Sequence, residues 1–152
     1  MSHTTESIRN IALVGHGAAG KTTLVESILY RAGRLPTPGA VEKGNTVCDF
    51  DPQEKAHQHS LDAALVHFDH NGAHVNLIDT PGFPDFIGQA IAVLPAVETV
   101  AVVINAQTGI EAMTQRMMER AAERRQCRMI IVNKIDAENI DLPGLLDRKS
   151  VV

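Results

Sequence analysis

Cysteine is scarce. The 152 residues hold two, Cys48 and Cys127, too few for the disulfide framework that staples small secreted domains, so a reducing, cytoplasmic setting is the expectation. Long hydrophobic runs are missing as well. The longest apolar stretches, residues 100–104 and 129–132, fall far short of the roughly 20 residues a helix needs to cross a bilayer, which excludes a membrane-spanning helix. The opening Met1-Ser2-His3-Thr4-Thr5-Glu6 lacks the charged-then-apolar order of a secretory signal. Charge of one sign does not dominate: the net charge of -4 argues against broad, non-specific nucleic-acid binding. Neither an internal repeat nor a low-complexity segment occurs. What is there, 44% hydrophobic and 21% charged residues, is the composition of one ordinary globular domain.

Strands alternate with helices along the chain. Residues 8–14 read as a buried strand, 15–20 as a glycine-rich turn, and 21–31 as a helix with Leu24, Ile28 and Leu29 at helical spacing. Residues 34–60 carry glycines, prolines and charges without a sustained period and are expected to form one long loop, functional or mobile. Strands at 61–68 and 74–79 flank the hairpin turn Asp69-His70-Asn71-Gly72. A loop at 80–84 leads into a short helix ending near Pro95, and 97–104 is a buried strand. Residues 111–125 form a helix with Met113, Met117 and Ala121 on its core side, while Arg116, Arg120 and Arg124 beside Glu119 and Glu123 make a solvated, ion-paired face. The next strand, 127–132, carries Cys127 as an inert small hydrophobe, and 133–139 is a loop. Such alternation predicts an α/β fold with a mostly parallel sheet covered on both faces.

Three strand ends carry chemistry. Gly15-His16-Gly17-Ala18-Ala19-Gly20-Lys21-Thr22 fits G-x-x-x-x-G-K-[ST] between a strand and a helix. Its glycines let backbone N–H groups turn inward around phosphates at a helix N-terminus. Lys21 then reaches the outer phosphates, and Thr22 supplies a hydroxyl for Mg²⁺. The strand at 74–79 ends in Asp79, placed to hold Mg²⁺ through water, and Thr80-Pro81-Gly82 follows, where the Gly82 N–H can approach a γ-phosphate. Asn133-Lys134-Ile135-Asp136 has the form N-K-x-D. The Asp136 carboxylate can accept from guanine N1–H and N2–H₂, which adenine cannot offer, and losing that pair would strand a carboxylate. Asn133 can contact the ring edge, and Lys134 can cover the base with its stem. Three such elements in this order predict a guanine-nucleotide site.

Over residues 8–146 the chain resembles the start of a translational GTPase, of the elongation factor G and elongation-factor-G-like group. The resemblance rests on His16 in the P-loop, Thr22-Thr23-Leu24, Asp79-Thr80-Pro81-Gly82 with Asp85-Phe86, Ala106-Gln107-Thr108-Gly109-Ile110 with Thr114, and Asn133 to Asp136. It implies a P-loop NTPase G domain, Rossmann-like and three-layered, following a tail at 1–7 and stopping before its last strand and helix. GTP or GDP would be held by His16, Gly17, Ala18, Ala19, Gly20, Lys21, Thr22, Thr23, Asp79, Gly82, Asn133, Lys134 and Asp136. Mg²⁺ would sit on Thr22, Ser60 and Asp79, and Lys21, Gly82 and the position of Phe83 would serve hydrolysis. The implied partner is the ribosome, reached through a longer, monomeric, cytoplasmic protein, with no membrane and no sequence-specific DNA involved.

Departures from the group's pattern cluster at the γ-phosphate end. A histidine that orients the attacking water usually follows Asp-Thr-Pro-Gly; here Phe83 stands there, and its ring cannot hydrogen-bond water. The first mobile loop usually ends Arg-Gly-Ile-Thr, against His57-Gln58-His59-Ser60 here; Ser60 keeps the hydroxyl. Ala18 replaces a frequent Asp. GTP binding with slow intrinsic hydrolysis is therefore expected, with two alternatives: a GTP-sensing switch that scarcely hydrolyses, or a non-functional gene fragment. His57 and His59 are expected as a solvated loop pair, with substitution of one for the missing histidine as the minor alternative. The last six residues, 147–152, back-translate to the start of a common sequencing adapter and are expected to be read-through, so that the natural protein continues past residue 146.

Overall fold

The computed structural model describes residues 3–138 and 140–148; the expectations for residues 1–2, 139 and 149–152 fall outside these. Five strands form one sheet: β1 (Ile8–Val14), β2 (Ala64–His70), β3 (Ala73–Asp79), β4 (Thr99–Asn105) and β5 (Cys127–Asn133). Their spatial order is β2-β3-β1-β4-β5. Only β2 runs antiparallel, paired to β3 from Ala64 opposite Asp79 to His70 opposite Ala73. β1 is parallel to both β3 and β4, as its run of apolar residues buried on two faces requires.

Helices lie on both sides. α1 (Lys21–Arg31) buries Val25 and Leu29 against one face with Leu13, Ala101 and Val103. On the other, Ala12, Val14, Val100 and Val102 meet Ala90 of α3 (Ile87–Val93) and Leu94, then Met113, Met117 and Ala121 of α4 (Ala112–Glu123), and Leu145 of α5 (Leu142–Arg148). The methionines are core, as their spacing predicts. Arg120 pairs with Glu123 at 2.9 Å on the exposed side of α4. Among the described residues no helix is long and apolar enough to cross a membrane.

The structure corrects four local expectations. Segment 34–60 contains a helix, α2 (Pro52–His57): Asp51 caps it by accepting from Gln53 N, and Glu54 reaches back to Asp51 N. Six residues are too few to show a helical period, but Asp51-Pro52-Gln53-Glu54 is a capping-box signal. β2 starts at Ala64, not 61, because the amides of Leu61 and Asp62 donate to the buried Glu54 carboxylate and are unavailable to a strand ladder. The hairpin turn is the pair Asn71-Gly72, both with positive φ (48° and 79°), which suits the twist of tightly joined strands. Cys127 is exposed, since it opens β5 at the sheet edge.

Candidate phosphate-binding cradle at the strand ends

Gly15 begins the loop between β1 and α1. Its φ is +138°, and a Cβ there would lie 2.3 Å from the Val103 carbonyl oxygen of β4, so only glycine lets the chain turn this close to the neighbouring strand. The loop 15–20 then wraps the end of the sheet beside a cavity of about 290 Å³. Such crevices, outside the carboxyl ends of parallel strands, are where open α/β sheets bind ligands.

Lys21 lies almost wholly inside, at 6% exposure, and its Nζ donates to the carbonyls of Gly15 (3.1 Å) and His16 (2.9 Å). Burial pushes its pKa down, and nearby Asp79 pulls it back up. Beside it lies a string of oxygens. Thr22 Oγ1 donates to Asp79 Oδ2 at 2.6 Å and stands 3.3 Å from Ser60 Oγ, which donates to Asp49 Oδ1 at 2.7 Å. Thr46 Oγ1 donates to Asp49 Oδ2 at 3.0 Å. Burial lifts the Asp79 carboxyl to about 6; the Thr22 hydroxyl and the Lys21 ammonium work against it, while Asp49 adds to it.

Asp79 Oδ1 is buried with no hydrogen-bond partner among the described residues. An orphaned carboxylate oxygen beside two hydroxyls and a second buried carboxylate is a hard, all-oxygen donor set, and it fits Mg²⁺. The strand-end motifs supplied Thr22 and Asp79, and the family resemblance implied Ser60, but neither pointed to Asp49, which sits in an irregular segment with no motif to single it out.

The turn after β3 is pinned to β1 and lies against the phosphate loop. Thr80 Oγ1 donates to the Leu13 carbonyl at 2.7 Å. A Cβ on Gly82 would lie 2.4 Å from Lys21 Nζ and 2.6 Å from Gly17 N, so Gly82 touches the cradle directly. The Phe83 ring covers Gly17, where a Cβ would come within 3.1 Å of it.

Gly17, Ala18, Gly20, Lys21, Thr22, Thr23, Ser60, Gly82, Phe83 and Lys134 line the cavity. The other expected site residues do not. Asp79 lies beneath Thr22, and Ala19 is buried. His16 turns its Nε2 to Glu111 Oε2, 3.0 Å away. Asn133 donates an amide N–H to the Ala19 carbonyl (2.9 Å), tying the end of β5 to the phosphate loop. Asp136 is exposed in the turn that follows. Of the two histidines expected in solvent, His57 is exposed, whereas His59 packs on Phe83 with ring centroids 4.6 Å apart.

A phosphate loop after the first strand, an Asp-Thr-Pro-Gly turn after the strand beside it and an Asn-Lys-x-Asp loop after the fifth, on a sheet of this order, define a P-loop GTPase domain. Residues 6–149 match the elongation factor Tu GTP binding domain family, and the chain belongs to that family. It is 39% identical over 129 residues to an elongation factor G-like protein of Mycobacterium tuberculosis, covering 85% of this chain and 18% of that one. To the mitochondrial ribosome-releasing factor 2 of Culex quinquefasciatus it is 39% identical over 142 residues, 93% of this chain and 19% of that one. A crystal structure of a Thermus thermophilus protein superposes with a TM-score of 0.90 at 35% identity, over 95% of this chain and 22% of that one. The resemblance to the elongation factor G group is thus borne out, and the chain spans about a fifth of the length of these relatives.

Proposed function

We propose that this chain binds GTP and GDP with Mg²⁺ and hydrolyses GTP slowly, as the G domain of a longer, monomeric, cytoplasmic protein that acts on the ribosome. The observation that carries the reading is the oxygen string Asp79–Thr22–Ser60–Asp49 beside Lys21: one cation and a set of oxygens able to hold Mg²⁺ lie on one cradle, as a nucleoside triphosphate requires. The glycine-rich loop offers its N–H groups to the β- and γ-phosphates, Lys21 leaves its carbonyl partners for them, and Gly82 carries the turn that senses the γ-phosphate. Mg²⁺, when bound, would be held by Thr22, Ser60 and Asp79 with Asp49 behind Ser60, and would neutralise charge on the phosphate oxygens. Ser60 links segment 34–60 to this centre, so GTP would order that segment and hydrolysis release it. The ribosomal role is supported by what the relatives are called.

Base choice is assigned to Asp136. Fluorescent GTP and GDP titrated into the protein, with and without Mg²⁺, test the reading. The expected result is Mg²⁺-dependent GTP binding that shifts toward xanthosine nucleotides in Asp136→Asn; unchanged base preference would refute the assignment. A second reading, a GTP-sensing switch with little turnover, is favoured by Phe83, whose apolar ring covers Gly17. Turnover stimulated by ribosomes would decide against it.

A further inference from the structure

Most polar side chains around the cradle are already committed. Lys21 bonds two carbonyls, Thr80 bonds Leu13, and Thr22, Ser60 and Asp49 bond one another or Asp79. His59 differs. It lines the same cavity, yet its Nδ1 is buried with no partner among the described residues. A buried polar atom is seldom left unsatisfied, so this nitrogen has hydrogen-bonding capacity to offer a group that enters beside it. Gln58 and Glu42, on the same wall, are exposed.

The backbone around His59 is fastened on both sides. Gln58 closes α2 in the left-handed region (φ 57°), and the His59 N–H returns to the Glu54 carbonyl at 3.2 Å. On the other side Ser60 is bound to Asp49, and the Leu61 N–H to the Glu54 carboxylate. The ring lies 4.6 Å from that of Phe83 at 50° and 6.0 Å from that of Phe86. Phe83 in turn rests on Gly17 of the phosphate loop. The imidazole is therefore held against an apolar ring, in a wall that Ser60 and Gly82 also line, and a fixed group in such a place can position a water.

We propose that His59 orients the attacking water in GTP hydrolysis. The inference rests on the reading that the chain hydrolyses GTP. The imidazole nitrogen accepts a hydrogen bond from the water, whose oxygen forms a bond to the γ-phosphorus. The bond from that phosphorus to the β,γ-bridging oxygen breaks, and its electron pair leaves with GDP. Both water protons finish on the released dihydrogen phosphate, so His59 aligns the nucleophile and carries no net proton. Phe83 supplies the apolar ring and excludes other waters.

The test is single-turnover hydrolysis at saturating GTP and Mg²⁺, paired with fluorescent GTP affinity, on the whole chain. His59→Phe keeps the tilted ring contact with Phe83 and removes both ring nitrogens. Loss of a positioning group predicts a rate lower by about 10- to 100-fold, with affinity nearly unchanged. His59→Gln, which keeps a polar end, should recover part of the rate, and adding Phe83→His to His59→Phe should recover more, because position 83 faces the same space. An unchanged rate in His59→Phe would overturn the proposal, and so would a parallel loss of rate and affinity that Phe83→His does not repair. If the unsubstituted chain binds GTP without turning it over, or does not bind it, the hydrolytic reading itself fails and this inference falls with it.

Discussion

Glu26 is the buried group whose removal tests the architecture most directly. It lies in α1 at 1% exposure, and its carboxylate accepts from Gly39 N (2.7 Å) and Val47 N (2.5 Å). Two points of segment 34–60 are thereby tethered to the helix that carries Lys21 and Thr22. Glu26→Ala removes both tethers. A hydrogen bond to a charged acceptor contributes about 1.5–3 kcal/mol. Gly39 is half-buried and Val47 exposed, so their freed amides reach water and the lower end applies to each, about 3 kcal/mol together. If only the segment detaches, its open population rises on the order of 100-fold. If it unfolds with the rest, Tm falls by about 6–12 °C. Trypsin cleavage at Lys43, between the two tethers, reads the first outcome and calorimetry the second. An unchanged Tm together with unchanged cleavage would refute the tethering argument.

Gly82→Ala places a Cβ 2.6 Å from Gly17 N and from the His16 carbonyl carbon; backbone must move, at about 1–3 kcal/mol. It should lower Tm and weaken GTP more than GDP in a titration of both. Asn133→Ala loses the bond to the Ala19 carbonyl and should cost about 1 kcal/mol in chemical denaturation, with guanine-nucleotide affinity falling as the loop loses its tie. Iodoacetamide should label Cys127 and spare Cys48 in the native protein. Cys48 is buried, and burial, followed by the charges of Asp79, Asp49, Glu26 and Glu54, pushes its thiol pKa far up, so labelling of both at equal rates would contradict the packing.

Much of the fold was legible because its signals are local. α1 spans the residues its apolar spacing predicts, and β1 spans the 8–14 segment expected from the sequence, ending with its apolar run at Val14. The phosphate loop, Asp79 and the Asn-Lys-x-Asp motif were legible for the same reason: each is a short string whose chemistry depends on its own order. Segment 34–60 was opaque. Its order comes from α2, a single capped turn and a half, and from the carboxylates of Glu26, Glu54 and Asp49, whose partners lie 3 to 21 residues away and follow no period.

By itself, then, the sequence determined the α/β alternation, the three strand-end motifs and their order, and the apolar Phe83 directly after the Asp-Thr-Pro-Gly turn. Tertiary structure alone decided that Asn133 ties the end of β5 to the phosphate loop, that Asp49 stands behind Ser60, and that His59 lies across Phe83 from the phosphate loop. The division is physical. Backbone preference and hydrophobic period act over a few residues, whereas a buried hydrogen bond or a ring contact depends on where distant segments come to rest.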